Sequence, residues 1–254
     1  MHSLIWWSLG LSLLINLILF LIAFNLKSDK LTDISYALSF LALAIYALLK
    51  TTGPNVYSYI VFAMVVVWAF RIGGFLLNRV LKVGKDRRFD DMRDNFVRFG
   101  KFWLGQAIAA WILMIPAEYA ITKASKLAVL VYVGVVIYII GLYAESIADW
   151  QKFNFHERKN KKHPWIDEGI WSLSRHPNYF GEIAVWIGIY VASFMALNTP
   201  QRLIGLLSPL FITILLLFVS GVPILEKSAN ERWGKDKDYL AYKSKTRLIL
   251  PLPK

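Results

Sequence analysis

The chain has 254 residues, 57 % hydrophobic and 15 % aromatic, with a formal net charge of +12 and no cysteine. Without cysteine there is no disulfide framework, no thiolate metal site and no cysteine nucleophile. A soluble domain of this size could bury a core, but it would not string its apolar residues into unbroken runs of about 20, the length that crosses the hydrocarbon of a bilayer.

The first such run, Leu4 to Phe24, holds no charge. It has no basic leader and no small-residue cleavage site, so a retained helix is expected rather than a signal peptide. Further spans are expected at 34–49, 55–78, 102–121, 127–149, 178–197 and 203–225, after a first at 4–25. The second is short, so it either thins the bilayer locally or begins before Asp33. Thr51-Thr52-Gly53-Pro54 suits a tight turn into the third span. The loops Arg79 to Lys101 and Trp150 to Pro177 are long and basic. The tail after Glu226 reads as one amphipathic helix bearing Trp233, Tyr239 and Tyr242, closed by Pro251 and Pro253. The fold class is therefore all-α: a polytopic bundle of about seven transmembrane helices in one domain, 1–254.

If all seven spans cross, 24 of the basic residues fall on one side, and only Lys50, Lys123, Lys126 and Arg202 on the other. The positive-inside rule then places the amino terminus outside and the carboxyl tail in the cytosol. This distribution explains the charge as topology and attraction to headgroups, and argues against nucleic acid as a partner.

Ionisable residues within spans are costly and mark functional candidates. Arg71 lies in the third span, where snorkelling to the interface is the alternative. Asp33 could cap the second span or share a face with Tyr36. Glu145 and Asp149, four apart near the end of the fifth span, share a helical face and require a partner. They could meet a ligand, or pair with Lys152 or Arg175. The densest cluster is Ser174-Arg175-His176-Pro177-Asn178-Tyr179-Phe180-Gly181-Glu182, at the mouth of the sixth span. Pro177 suits a first helical turn, whose open amides attract anions. Arg175 and His176 precede that turn, Asn178 and Glu182 share a face, and Tyr179 adds a ring and a hydroxyl. The four histidines show no metal spacing, and no metal site is expected. No glycine-rich phosphate loop and no Gly-x-Ser-x-Gly elbow is present.

The run from Trp171 through Arg175-His176-Pro177-Asn178-Tyr179 to Glu182 resembles the carboxyl-terminal signature of the steroid 5α-reductase-like membrane proteins, in particular the bacterial branch DUF1295. The resemblance extends back through Gly141 to Gln151, and forward through Ser220 to Glu226 and the Tyr239/Tyr242 tail. It is looser at Asp33, Trp68 to Arg71 and Lys85 to Phe89. It implies a monomeric seven-helix bundle in the bacterial cytoplasmic membrane, holding NADPH in a cytosol-facing cavity. Residues 1–125 would form a variable substrate-side half and 126–254 a cofactor half. A lipophilic substrate would enter from the bilayer lipids, and hydride would pass to a carbon–carbon double bond beside a carbonyl.

By the same resemblance, Glu145 and Asp149 fall at the adenosine end. Asn178 and Glu182 bind the cofactor within the bundle, with Arg175, His176 and Tyr179 completing the motif. Tyr239, Tyr242, Lys243 and Arg247 fall in the tail that closes over the nucleotide. Arg87 and Arg88 are phosphate candidates on charge alone. The chain lacks the steroid enzymes' Gln-Glu pair, and Gly73-Gly74-Phe75 lacks their third-helix tyrosine; the substrate the likeness implies is steroid-like, an enone lipid or a fatty acyl chain, with a different proton donor. Tyr36, Arg71, Tyr143 and Gln106 are the candidates for donor. Membrane methyltransferases that use S-adenosylmethionine share Arg-His-Pro-x-Tyr and give the alternative function. A non-catalytic lipid-binding protein on the same scaffold is the second alternative.

Overall fold

The computed structural model describes residues 2–83, 89–123 and 125–254, with the side chains of residues 2 and 83 left out. Ten α-helices follow one another among them: α1 (His2–Asn25), α2 (Lys30–Leu49), α3 (Val56–Val83), α4 (Phe96–Thr122), α5 (Val129–Glu157), α6 (Pro177–Ser193), α7 (Thr199–Gly205), α8 (Leu207–Ile214), α9 (Val222–Trp233) and α10 (Lys237–Lys245). The described residues hold no strand beyond a single parallel bridge between Ser174 and Arg247. Seven segments are long and apolar enough to cross a membrane, the last running over Thr199–Trp233 through several shorter pieces. The chain is an all-α integral membrane protein. Helices suit this solvent because each satisfies its own backbone groups where no water can.

Three features differ from expectation. The second span begins before Asp33, at Lys30, as one of the two expectations had it, but Asp33 therefore lies inside the first turn and does not cap the helix. Asp33 is instead ion-paired with Arg79 at 2.9 Å. The last span is broken: a π-helical turn at Leu215–Val219 follows α8, and Gly221 precedes α9. The tail is two helices rather than one. The chain turns after Trp233, and the Asp236 carboxylate accepts from the amides of Asp238 and Tyr239 to start α10 afresh.

Contacts divide the chain into two compact units. The first comprises residues up to Gly134 with Ile189–Ser208. Its interior ties α1, α2 and α4 together through hydrogen bonds. Asn16 Nδ2 donates to Ser12 O and Ser39 Oγ, both at 2.9 Å, and Ser12 Oγ donates to Ala107 O at 2.9 Å. Gln106 Nε2 reaches Asn16 Oδ1 and Thr32 O, each at 3.1 Å, and Ser35 Oγ. Polar side chains of this kind hold spanning helices in register where lipid supplies no hydrophobic force between them. Glu118 of α4, fully buried, takes the Ser8 hydroxyl at 2.8 Å. At one helix end Arg93 is buried between Asp29 (2.8 Å) and Asp90 (2.6 Å).

The second unit comprises Val135–Gly188 and Pro209–Lys254. Here α5 and α6 approach backbone to backbone at Gly141 and Gly181. A Cβ on Gly181 would lie 2.5 Å from the Glu145 amide nitrogen and 2.6 Å from the Gly141 oxygen. The segment after α5 folds back on it: Trp171 Nε1 donates to Ala148 O at 3.0 Å, and Gln151 Oε1 accepts from the Ile170 amide at 3.0 Å. Gly169, at φ +58°, makes that return; a side chain there would collide with Gln151.

Candidate functional site

The α5–α6 crossing brings the Glu145/Asp149 face of α5 beside the Asn178/Glu182 face of α6. Glu145 is 2 % exposed and Asp149 7 %. Asn178 Nδ2 points at Asp149 Oδ1 from 3.4 Å, and Glu182 lies one turn further along α6, half-buried. All three carboxylates are engaged by other groups of the chain, as buried charges must be. The close approach at Gly141 and Gly181 is what brings them together. Each glycine lies about one helical turn from a carboxylate or amide of the face.

A second constellation, immediately before α6, converges on Glu226 of α9. Arg175 Nε and His176 Nε2 both reach Glu226 Oε1 at 3.0 Å, and Lys243 Nζ reaches Oε2 at 3.1 Å. Arg175 Nη1 also donates to the carbonyls of Lys243 (3.2 Å) and Thr246 (2.8 Å). The His176 ring stacks on Tyr179, 5.6 Å between centroids and 8° apart. Tyr179 in turn packs where a Cβ on Gly221 would come within 2.9 Å of its ring.

Around this clasp the tail is laid against the loop before α6. The Arg175 amide donates to Arg247 O at 2.9 Å, and the Arg247 amide to Leu173 O at 3.3 Å. Ser174 Oγ donates to Ile249 O at 2.7 Å, and Tyr242 OH to Trp171 O at 2.8 Å. Tyr239 is buried against Trp165 and Trp233, at 5.2 and 5.8 Å. Tyr239 and Tyr242 thus hold the tail down through packing and a backbone bond. Arg247 joins through its backbone, while its Nε turns to Pro253 O. Lys152 lies over the Trp171 ring at 4.9 Å.

Burial pushes the His176 pKa below the ordinary histidine value of about 6.5, against the opposing pull of Glu226. Nearby Lys152 and Arg175 add to the lowering. The unfolded chain then binds a proton that the folded chain refuses. This contribution to stability is full above about pH 6.5 and is lost as pH falls through the lower folded value. Thermal unfolding in detergent should therefore weaken between pH 7 and pH 5, with a shallower slope in His176→Gln. An identical slope in that variant would remove His176 as the source.

The remaining candidates fall elsewhere. Arg87 and Arg88 lie outside the described residues. Tyr36 packs edge-on against Phe40 (4.9 Å) and Trp68 (6.2 Å). Arg71 lies over the Phe75 ring at 5.8 Å. Gln106 has its amide hydrogens committed to the network of the first unit. Tyr143 is 70 % exposed, two residues from Gly141 and hence on the opposite face of α5. No group of three or more metal-ligating side chains occurs among the described residues.

The family model described as a protein of unknown function, DUF1295, matches residues 19–246. The chain belongs to DUF1295. The match takes in every described residue of the α5–α6 face and of the Glu226 clasp. No curated protein and no solved structure matches this DUF1295 chain. Glu226 itself is the residue that sequence reasoning passed over as a site member. It closes the Ser220–Glu226 stretch of the family resemblance, an acid at the end of an uncharged run, and nothing in the sequence places Arg175, His176 and Lys243 beside it.

Proposed function

We propose that this DUF1295 protein is an NADPH-dependent membrane reductase that saturates a carbon–carbon double bond in a lipophilic substrate. The observation that carries the reading is the acid–amide face of Glu145, Asp149, Asn178 and Glu182, buried or half-buried in spans that are otherwise apolar. Such groups are costly inside a membrane and are kept there for a ligand or a relay. Their chemistry fits a dinucleotide. Carboxylates accept hydrogen bonds from ribose hydroxyls and an adenine amine, and an amide does both. With no glycine-rich loop in the sequence, side chains and the start of α6 must hold such a ligand. Arg175 engages Glu226 and the tail through Nε and Nη1, which leaves its Nη2 hydrogens for a phosphate oxygen.

When bound, NADPH supplies hydride, which adds to the β carbon of an enone or related acceptor while a proton adds to the α carbon. The residues of the chain orient the ring, exclude water and donate to the substrate oxygen as charge builds there. The one-sided basic charge supports a cytosolic tail and access to cytosolic NADPH. The substrate reaches the site from the lipid, and the proposed location is a bacterial cytoplasmic membrane.

Binding of NADPH and of S-adenosylmethionine to the detergent-solubilised protein tests this, with Glu182→Ala as control. NADPH should bind, and the variant should bind it roughly tenfold to a hundredfold more weakly, the effect of losing a hydrogen bond to a charged group. Binding of S-adenosylmethionine alone would replace the reading with a lipid methyltransferase. Binding of neither would leave a non-catalytic lipid-binding protein.

A further inference from the structure

A groove in the first unit has no part in the reading above. It runs along α1 beside the end of α2, lined by Trp7, Gly10, Leu11, Leu14, Tyr46 and Lys50, with a volume of about 660 Å³. A second hollow of about 330 Å³ adjoins it, sharing Trp7, Tyr46 and Lys50 and adding Thr122 and Lys123. The floor is apolar and the mouth carries two ammonium groups. Lys50 lies over the Tyr46 ring at 5.6 Å. Lys123 Nζ donates to Gln201 Oε1 (2.6 Å) and Ala196 O (3.2 Å), which leaves one of its three hydrogens over. Neither ammonium is ion-paired with a carboxylate among the described residues.

Three observations identify the occupant. Trp6 and Trp7 are 64 % and 70 % exposed, the placement of an aromatic belt at headgroup level. The trough from Trp7 to Leu14 extends about 10 Å along α1, into acyl-chain depth. In the topology proposed above, only four basic residues face that side, where lysine is disfavoured, and two of them line this mouth. We infer that the groove binds one anionic glycerophospholipid, its phosphate at Lys50 and Lys123 and an acyl chain along Gly10, Leu11 and Leu14. The inference uses the topology and is independent of the reductase chemistry.

Native mass spectrometry of the delipidated full-length protein tests it, with phosphatidylglycerol and phosphatidylcholine added at equal concentrations. One phosphatidylglycerol should be retained in preference. Lys50→Gln should weaken its binding about fivefold. Gly10→Leu should abolish it; a Cβ at Gly10 meets nothing within 4 Å, so the larger side chain fills the trough rather than the core. Equal retention of phosphatidylcholine would overturn the proposal, as would binding left unchanged in either variant. So would a protein dimer that Gly10→Leu dissociates, which would make a second copy the occupant.

Discussion

Glu226→Ala is expected to free the tail while the spans stay folded. The carboxylate holds Arg175, His176 and Lys243 at 3.0–3.1 Å, and its side chain is only 17 % exposed. Removing one member of a buried, hydrogen-bonded charge cluster leaves the others uncompensated, at a cost of about 3–5 kcal/mol. Here two cations would be left facing one another. The loss should fall on the docking of the tail, because Lys243 and the Lys243 and Thr246 carbonyls reach the rest of the unit through this cluster. Hydrogen exchange gives the readout. The Arg175 amide, bonded to Arg247 O, and the Arg247 amide, bonded to Leu173 O, should lose protection together by roughly a hundredfold or more. Trypsin cleavage at Lys243 should then run faster than in the unsubstituted protein. Glu226→Gln keeps one acceptor oxygen and should lose less. Unchanged protection at both amides would show that Tyr239, Tyr242 and the backbone bridge hold the tail without the clasp.

The helices were legible because their determinant is local. A run of about 20 apolar residues has one stable state in lipid, and seven runs gave seven crossing segments. Their ends were less legible. Asp33 looks like a cap, yet Lys30 to Thr32 continue the helix in front of it, and its partner Arg79 is 46 residues away. The tail kept helical composition throughout, and only the Asp236 cap, competing with continuation through Gly234, divides it. The four-residue spacings put Glu145 and Asp149 on one face of α5 and Asn178 and Glu182 on one face of α6, but did not fix the meeting of Asn178 with Asp149 across the crossing. They could not show that Arg175 and His176 turn to Glu226, because that meeting depends on where the broken seventh span delivers α9. The π-helical turn and Gly221 that set its course have no periodic signature.

The two glycines at the α5–α6 crossing lie 40 residues apart, so no small-xxx-small pattern within one helix announced them. Gly181→Ala measures what they do. In an exposed helix the change should stabilise by about 1 kcal/mol through propensity alone. At Gly181 the new Cβ would meet the Glu145 nitrogen at 2.5 Å, Glu145 Cβ at 2.6 Å and the Gly141 oxygen at 2.6 Å. Two of those three atoms are backbone and cannot rotate aside, so the helices must part by about 1 Å to restore contact distances. Overpacking of this kind costs about 1–3 kcal/mol, which outweighs the propensity gain. The melting temperature in detergent should fall, and more steeply for Gly181→Leu. Gly74→Ala is the matched control, since a Cβ there meets nothing within 4 Å, and it should be neutral or slightly stabilising. The separation also pulls Glu182 and Asn178 away from Glu145 and Asp149. The NADPH binding proposed for the acidic face should therefore weaken in Gly181→Ala although none of its four polar residues has changed. A variant as stable as Gly74→Ala, with binding intact, would mean that the helices cross less closely than the structure has them.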